Sequence, residues 1–144
     1  MADGKIIAIS ISEKKGQKKH NIESANLIVD HGMEGDAHAG NWHRQISLLG
    51  IKSIERNKGA DVKPGDFAEN ITVEGVVLYE LPVGTRLQLG SEVLLEVTQI
   101  GKECHHGCEI MKQVGSCIMP TQGIFGKVLK NGTINIGDEV SIIK

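Results

Sequence analysis

Aromatic residues are scarce in this chain: Trp42, Phe67, Tyr79 and Phe125 are the only four among 144 residues. A surface that stacks nucleobases needs several such rings, so the composition argues against single-stranded nucleic-acid binding. Charge of one sign is also lacking. The net charge is −2, which gives no electrostatic case for nucleic acid or an anionic membrane as partner. No apolar run reaches the length needed to cross a bilayer. The opening Met1-Ala-Asp-Gly-Lys-Ile-Ile-Ala-Ile has an acidic residue and too short an apolar stretch for a secretory signal. There are three cysteines, an odd number, and with no signal they are expected as reduced thiols in the cytoplasm. No phosphate-cradling Gly-x-x-x-x-Gly-Lys-Thr occurs, no Gly-x-Gly-x-x-Gly follows a strand, and no general acid/base dyad can be assigned.

Glycine, by contrast, is abundant, at 18 residues. Short alternating apolar stretches separated by Gly, Asp or Pro predict strands over 5–11, 26–30, 44–49, 70–74, 85–89, 92–100, 124–129 and 139–143. Asn131-Gly132 is a hairpin signal between 125–130 and 133–136. Two short helices are predicted, over 50–58 and 106–114. Many short strands with few helices predict an all-β-dominated chain closed into a barrel, because closure removes exposed strand edges. Length and the lack of a linker predict a single domain over 1–144.

Four segments could carry chemistry. In Gly35-Asp-Ala-His38-Ala-Gly40-Asn-Trp-His43-Arg44-Gln45, glycines flank a histidine and an arginine opens a predicted strand. Arg is the natural bidentate partner of phosphate or carboxylate, and a surface turn with Arg44 paired to a carboxylate stays open. In Pro64-Gly-Asp66-Phe-Ala-Glu69-Asn70, an acid and an amide sit between a turn and a strand. Asn70 could meet a heterocycle edge or simply cap the turn. The basic run Lys14-Lys15-Gly-Gln-Lys18-Lys19-His20 reads first as a solvated loop, with anion steering as the sharper alternative.

The fourth segment is the densest. Cys104, His105, His106, Cys108 and Cys117 fall within fourteen residues. Cys104 follows a long predicted strand and precedes a predicted helix, with Lys102 and His105 beside it, a setting that lowers a thiol pKa. Cys108 and Cys117 could be small buried hydrophobes. A structural zinc site from Cys104, Cys108, Cys117 and His105 is a further alternative, although C-x3-C-x8-C is not a common zinc-finger spacing.

Taken together, Gly35-Asp-Ala-His38, Arg44-Gln-Ile-Ser-Leu-Leu, Gly65-Asp-Phe-Ala-Glu-Asn-Ile-Thr-Val-Glu-Gly75, Leu81-Pro-Val-Gly-Thr-Arg86, Gln99-Ile-Gly-Lys-Glu-Cys104-His and Cys117-Ile-Met-Pro resemble the MOSC domain, the C-terminal domain of molybdenum cofactor sulfurases. The match runs over roughly 4–143 and is nearest to the small stand-alone bacterial form. The resemblance implies a β-barrel and binding of the molybdenum cofactor, a pterin (molybdopterin) with a dithiolene and a phosphate. It also implies a reactive cysteine, Cys104 here, as molybdenum ligand or sulfur carrier. His38, Arg44, Glu69 and Asn70 then line the cofactor pocket, with Arg44 and Lys102 meeting the phosphate. The aminotransferase-like domain of the sulfurases has no room in this chain, so no pyridoxal phosphate is expected.

The leading expectation is therefore a module that binds and handles molybdenum cofactor, carrying or transferring sulfur through Cys104. Its partners would be molybdoenzymes or molybdopterin-biosynthesis proteins. One alternative is a small molybdenum-dependent reductase of N-hydroxylated compounds served by an electron-donor protein. The other is a zinc-stabilised β-barrel acting as an interaction module. Whether the chain is itself an enzyme is left open by the sequence.

Overall fold

The computed structural model describes residues 3–14, 19–52, 64–65, 67, 69–101 and 122–143. Eleven strands follow one another: β1 (Gly4–Ile11), β2 (His20–Ile22), β3 (Ser24–Ile28), β4 (Gly32–Met33), β5 (Ile46–Gly50), β6 (Ile71–Glu74), β7 (Arg86–Leu89), β8 (Val93–Ile100), β9 (Ile124–Lys130), β10 (Gly132–Asn135) and β11 (Glu139–Ile143). Among the described residues the remaining helical structure is a 3-10 turn, Leu78–Glu80, the helical pair Ile51–Lys52 and Gln122. Most of the predicted helix 50–58 and all of 106–114 lie outside the described residues.

Seven strands close a barrel in the order β11-β7-β8-β9-β5-β6-β1, with β1 returning to β11 through Gly4 opposite Val140 and Lys5 opposite Glu139. β1 is long enough to do two jobs on one edge. Its first half meets β11 and its second half meets β2, with Ile9 opposite Ile22. All barrel neighbours are antiparallel except β5 and β6, where Leu48 lies opposite Ile71 in parallel register. A parallel pair needs a long crossover, and 20 residues, 51–70, separate β5 from β6 in the sequence.

Inside the barrel the period-2 alternation places Ile46 and Leu48, Ile71 and Val73, Leu95 and Val97, and Ile124 and Val128 in one apolar cluster, which Ile6 and Ile9 join because the register of β1 shifts between Ile6 and Ala8. The opposite faces of β1, β6, β5 and β9 ought to be wet, yet they are buried. Ala8, Thr72 and Leu49 lie across from one another, as do Ser47 and Phe125, and all five are at most 7% exposed. Cross-strand partners share a face, so one side of the barrel wall carries a second, covered surface of mixed polar and apolar residues. The candidate site lies along its edge.

One sequence expectation fails. Asn131-Gly132 does not close a hairpin, because β10 leaves β9 and pairs with β3 in a separate sheet, β10-β3-β4. The Asn131 side chain accepts a hydrogen bond from the Val29 amide at 2.6 Å, tying this corner to the end of β3. Gly132 is needed for close approach: a Cβ there would lie 2.6 Å from Glu92 Cβ and 2.9 Å from Val93 Cγ2.

Candidate functional site

The site is built where β1 ends and β5 and β6 begin. Lys19 is its least expected member. The sequence places it in a solvated basic run, but its side chain is fully buried and pairs with Asp36 at 2.7 Å, also fully buried. The ammonium further donates to Ser12 Oγ at 3.2 Å and contacts His38 Nδ1 at 3.2 Å. Asp36 accepts from the Ser12 amide at 3.1 Å and, two residues on, from the His38 amide at 3.0 Å. Burial alone would push the Asp36 carboxyl up. The contacts from His38, Lys19 and Ser12 outweigh it and hold the group well below the usual carboxylate range. The neighbouring Lys14 and His20 are exposed, as expected of a loop.

Glu69 anchors the turn that positions Lys19. Its fully buried carboxylate accepts from the Gly65 amide at 3.0 Å, the Phe67 amide at 3.2 Å and Thr72 Oγ1 at 3.3 Å. Desolvation raises its pKa to about 7, and the hydrogen bonds from Gly65, Thr72 and Phe67 only partly offset this. Gly65, with φ +98°, accepts from the Lys19 amide at 2.8 Å. A Cβ at Gly65 would collide with the Lys19 carbonyl oxygen and lie 3.1 Å from Ser10 Oγ. Gly65→Ala is therefore expected to lose about 2–3 kcal/mol in urea unfolding, from positive φ and overlap together. A loss within experimental error would mean that the turn does not bear on Lys19.

Asn70 splices three strands. Its side-chain oxygen accepts from the Ser47 amide at 3.0 Å, its amide group donates to the Ser10 carbonyl at 3.2 Å, and its backbone meets Ser47 and Ser10. Glu69 and Asn70 are thus both buried, with their polar atoms engaged by the protein, and they brace the wall.

Arg44 is different. β5 begins at Ile46, so Arg44 precedes the strand that it was expected to open. It lies in a segment folded over the outside of β9. Its guanidinium sits 4.7 Å from the centroid of the Trp42 ring and 5.5 Å from that of Phe125. Among the described residues no carboxylate pairs with it, since the lysine and arginine ion pairs there are Lys19–Asp36, Arg86–Glu96 and Lys127–Glu96. Trp42 links the two halves of the site: its indole N–H donates to the His38 carbonyl at 2.8 Å while its ring carries Arg44. His43 Nε2 meets Gln99 Oε1 at 2.8 Å, and its carbonyl accepts from Thr98 Oγ1. These contacts tie the segment to the end of β8. Gly101 closes β8 with a hydrogen bond to the Gly123 carbonyl at 2.7 Å.

The structure therefore brings His38 and Arg44 together through Trp42, and sets Glu69 and Asn70 behind them as supports. Lys102, Cys104, His105, Cys108 and Cys117 lie outside the described residues. Among the described residues no three His, Cys, Asp or Glu side chains gather to hold a metal ion. Nor is any helix there long and apolar enough to cross a membrane. The sequence missed Lys19 and Trp42. A lysine inside a basic run carries no mark of burial, and a lone tryptophan has no periodic partner.

A seven-stranded barrel with this site at its wall defines a β-barrel class, and comparison gives its family. Residues 35–141 match the MOSC domain, and the chain belongs to the MOSC-domain family. No curated protein matches it in sequence. Among solved structures, the YUAD protein from Bacillus subtilis is similar with a TM-score of 0.80 and 20% identity, covering 95% of this chain and 93% of that one. YiiM from Geobacillus stearothermophilus gives a TM-score of 0.72 and 17% identity, covering 98% and 75% of the two chains. YiiM from Escherichia coli gives 0.62 and 17%, covering 97% and 70%. At these identities the likeness shows the fold. Family membership supports a general role connected with the molybdenum cofactor.

Proposed function

We propose that this chain binds the molybdenum cofactor against the outer wall of its barrel and hands it on or modifies it, with Arg44 meeting the phosphate. One observation carries the reading. Arg44 is a cation with no carboxylate partner among the described residues, held between two of the four aromatic rings in the chain. A guanidinium so placed keeps its N–H fork for an anion while the rings fix its plane. The donor set suits the cofactor: Arg44 for a phosphate, His38, linked to it through Trp42, for a heterocycle or phosphate acceptor, and a wall braced by Glu69 and Asn70.

Lys102 and Cys104 follow Gly101 in sequence by one and three residues, and Gly101 itself closes the end of β8 that His43 and Gln99 tie to the Arg44 segment. We assign Lys102 to the phosphate and Cys104 to a soft ligand or sulfur carrier. A thiolate suits either role. When bound, the cofactor supplies a molybdenum centre for sulfur or redox chemistry. This chain's residues bind it, orient it and cover one side of it. Molybdoenzymes or molybdopterin-biosynthesis proteins are the proposed partners.

The test is elemental analysis and pterin fluorescence after oxidation, on protein made in a host that synthesises the cofactor. Wild type is expected to carry molybdenum and pterin together. Arg44→Met, which keeps apolar bulk between the rings, is expected to lose at least about tenfold in occupancy, the effect of about 1.4 kcal/mol of binding. Arg86→Met, at an exposed arginine that pairs with Glu96, is expected to match wild type. Equal pterin in wild type and Arg44→Met would remove Arg44 from the site.

A further inference from the structure

The Lys19 ammonium does more than neutralise Asp36. It lies 3.2 Å from His38 Nδ1 and 2.7 Å from Asp36 Oδ1. An ammonium can only donate, so at that contact Nδ1 must present its lone pair. Asp36 Oδ2 is 3.7 Å from the same nitrogen, too far for a hydrogen bond. The carboxylate instead takes the His38 backbone amide. Lys19 and Asp36 thus compete for one ring nitrogen, and the geometry favours Lys19. The ring is 18% exposed and its backbone is pinned by the Asp36 and Trp42 hydrogen bonds.

We propose that Lys19 is a positioning residue that fixes His38 in the tautomer with its proton on Nε2, so that His38 offers the site a hydrogen-bond donor. Its partner is then an acceptor atom: a carbonyl oxygen, a phosphate oxygen or an unprotonated ring nitrogen. It is not a metal cation. A metal on Nε2 would require a proton on Nδ1, and metal-bound histidines send that proton to an acceptor, whereas here Nδ1 faces an ammonium. The turn held by Glu69 and Gly65 sets the position of the Lys19 backbone and so belongs to the same device. The tautomer stands on Lys19, Asp36 and His38 alone. Use of the donor by a ligand rests on the cofactor-pocket reading.

The experiment is nitrogen-15 NMR of the His38 ring at pH 8 in the whole protein, assigned with His38→Gln. In wild type Nδ1 is expected to give the signal of an unprotonated ring nitrogen and Nε2 that of a protonated one. In Lys19→Met the proton is expected to move to Nδ1, facing Asp36, with the unprotonated Nδ1 signal lost. Lys19→Gln, whose amide still donates, is expected to restore the wild-type pattern. Asp36→Asn is expected to leave the pattern unchanged, because Lys19 remains, and it decides the matter with wild type if Lys19→Met does not fold. A protonated Nδ1 in wild type, or an unchanged pattern in folded Lys19→Met, overturns the proposal. Inorganic pyrophosphate added to the same samples probes the pocket separately. A wild-type Nε2 signal that does not move counts against a phosphate partner for His38 and leaves the tautomer result intact.

Discussion

Asp36→Ala is expected to destabilise the protein by about 3–5 kcal/mol, the cost of stranding one member of a buried ion pair. Both side chains are fully buried at 2.7 Å, so removal of the carboxylate takes from the buried Lys19 ammonium the acceptor that lies nearest among its contacts with Asp36, Ser12 and His38. Two amides, of Ser12 and His38, lose their acceptor at the same time, which places the variant toward the upper end of that range. Lys19→Met combined with Asp36→Ala is expected to recover the part due to the stranded charge and to leave the part due to the two amides. Urea unfolding of the three variants measures this. A loss below about 1 kcal/mol in Asp36→Ala, the worth of an exposed pair, would contradict the burial described.

Stability is expected to peak in mildly acidic solution and to fall toward pH 8. Glu69 has a folded pKa raised from 4.5 to about 7. Between these values the folded chain holds a proton that the unfolded chain has released. Stability therefore falls as pH rises through the window, and is lowest above pH 7. At 1.36 kcal/mol per unit the whole window is worth about 3 kcal/mol as an order of magnitude. Asp36 has the opposite sign. Its folded pKa is held below the ordinary 3.8, so its contribution is present above that value and is lost as pH falls further below it. The two slopes meet near pH 4–5. Glu69→Gln is expected to flatten the limb above pH 5 and to leave the acid limb intact. Wild-type stability that is flat or rising from pH 5 to 8, or an unchanged slope in Glu69→Gln, would contradict the assignment.

How far the sequence revealed this depends on which physical signal each part leaves. Long strands bounded by turn residues were legible: β8 and β11 fall on 93–100 and 139–143, against expectations of 92–100 and 139–143, because a buried period-2 face is written in the residues themselves. The short pieces β2 and β4 carry three and two residues, too few for a period. Asn131-Gly132 misled because a turn dipeptide states local preference, whereas β10 is decided by its pairing with β3 and by contact with Glu92 and Val93. Arg44 and His38 became candidates through their residue types and flanking glycines, and Glu69 and Asn70 through one turn-to-strand segment. Their roles differ because burial differs, and no spacing rule reports burial of a polar side chain. Lys19 shows this most clearly: its charge suggested solvent, and acceptors on Ser12, Asp36 and His38 took it inside.

Trp42 gives the most direct measurement of the central claim. It is the only tryptophan in the chain and its ring carries the Arg44 guanidinium, so its emission reports on that site alone. Cofactor released from a molybdoenzyme, added under oxygen-free conditions, is predicted to change Trp42 emission saturably in wild type. In Arg44→Met the change is predicted to be absent or shifted at least about tenfold in concentration. Cofactor that binds while Trp42 emission stays constant, or that affects wild type and Arg44→Met alike, would contradict a cofactor site at Arg44.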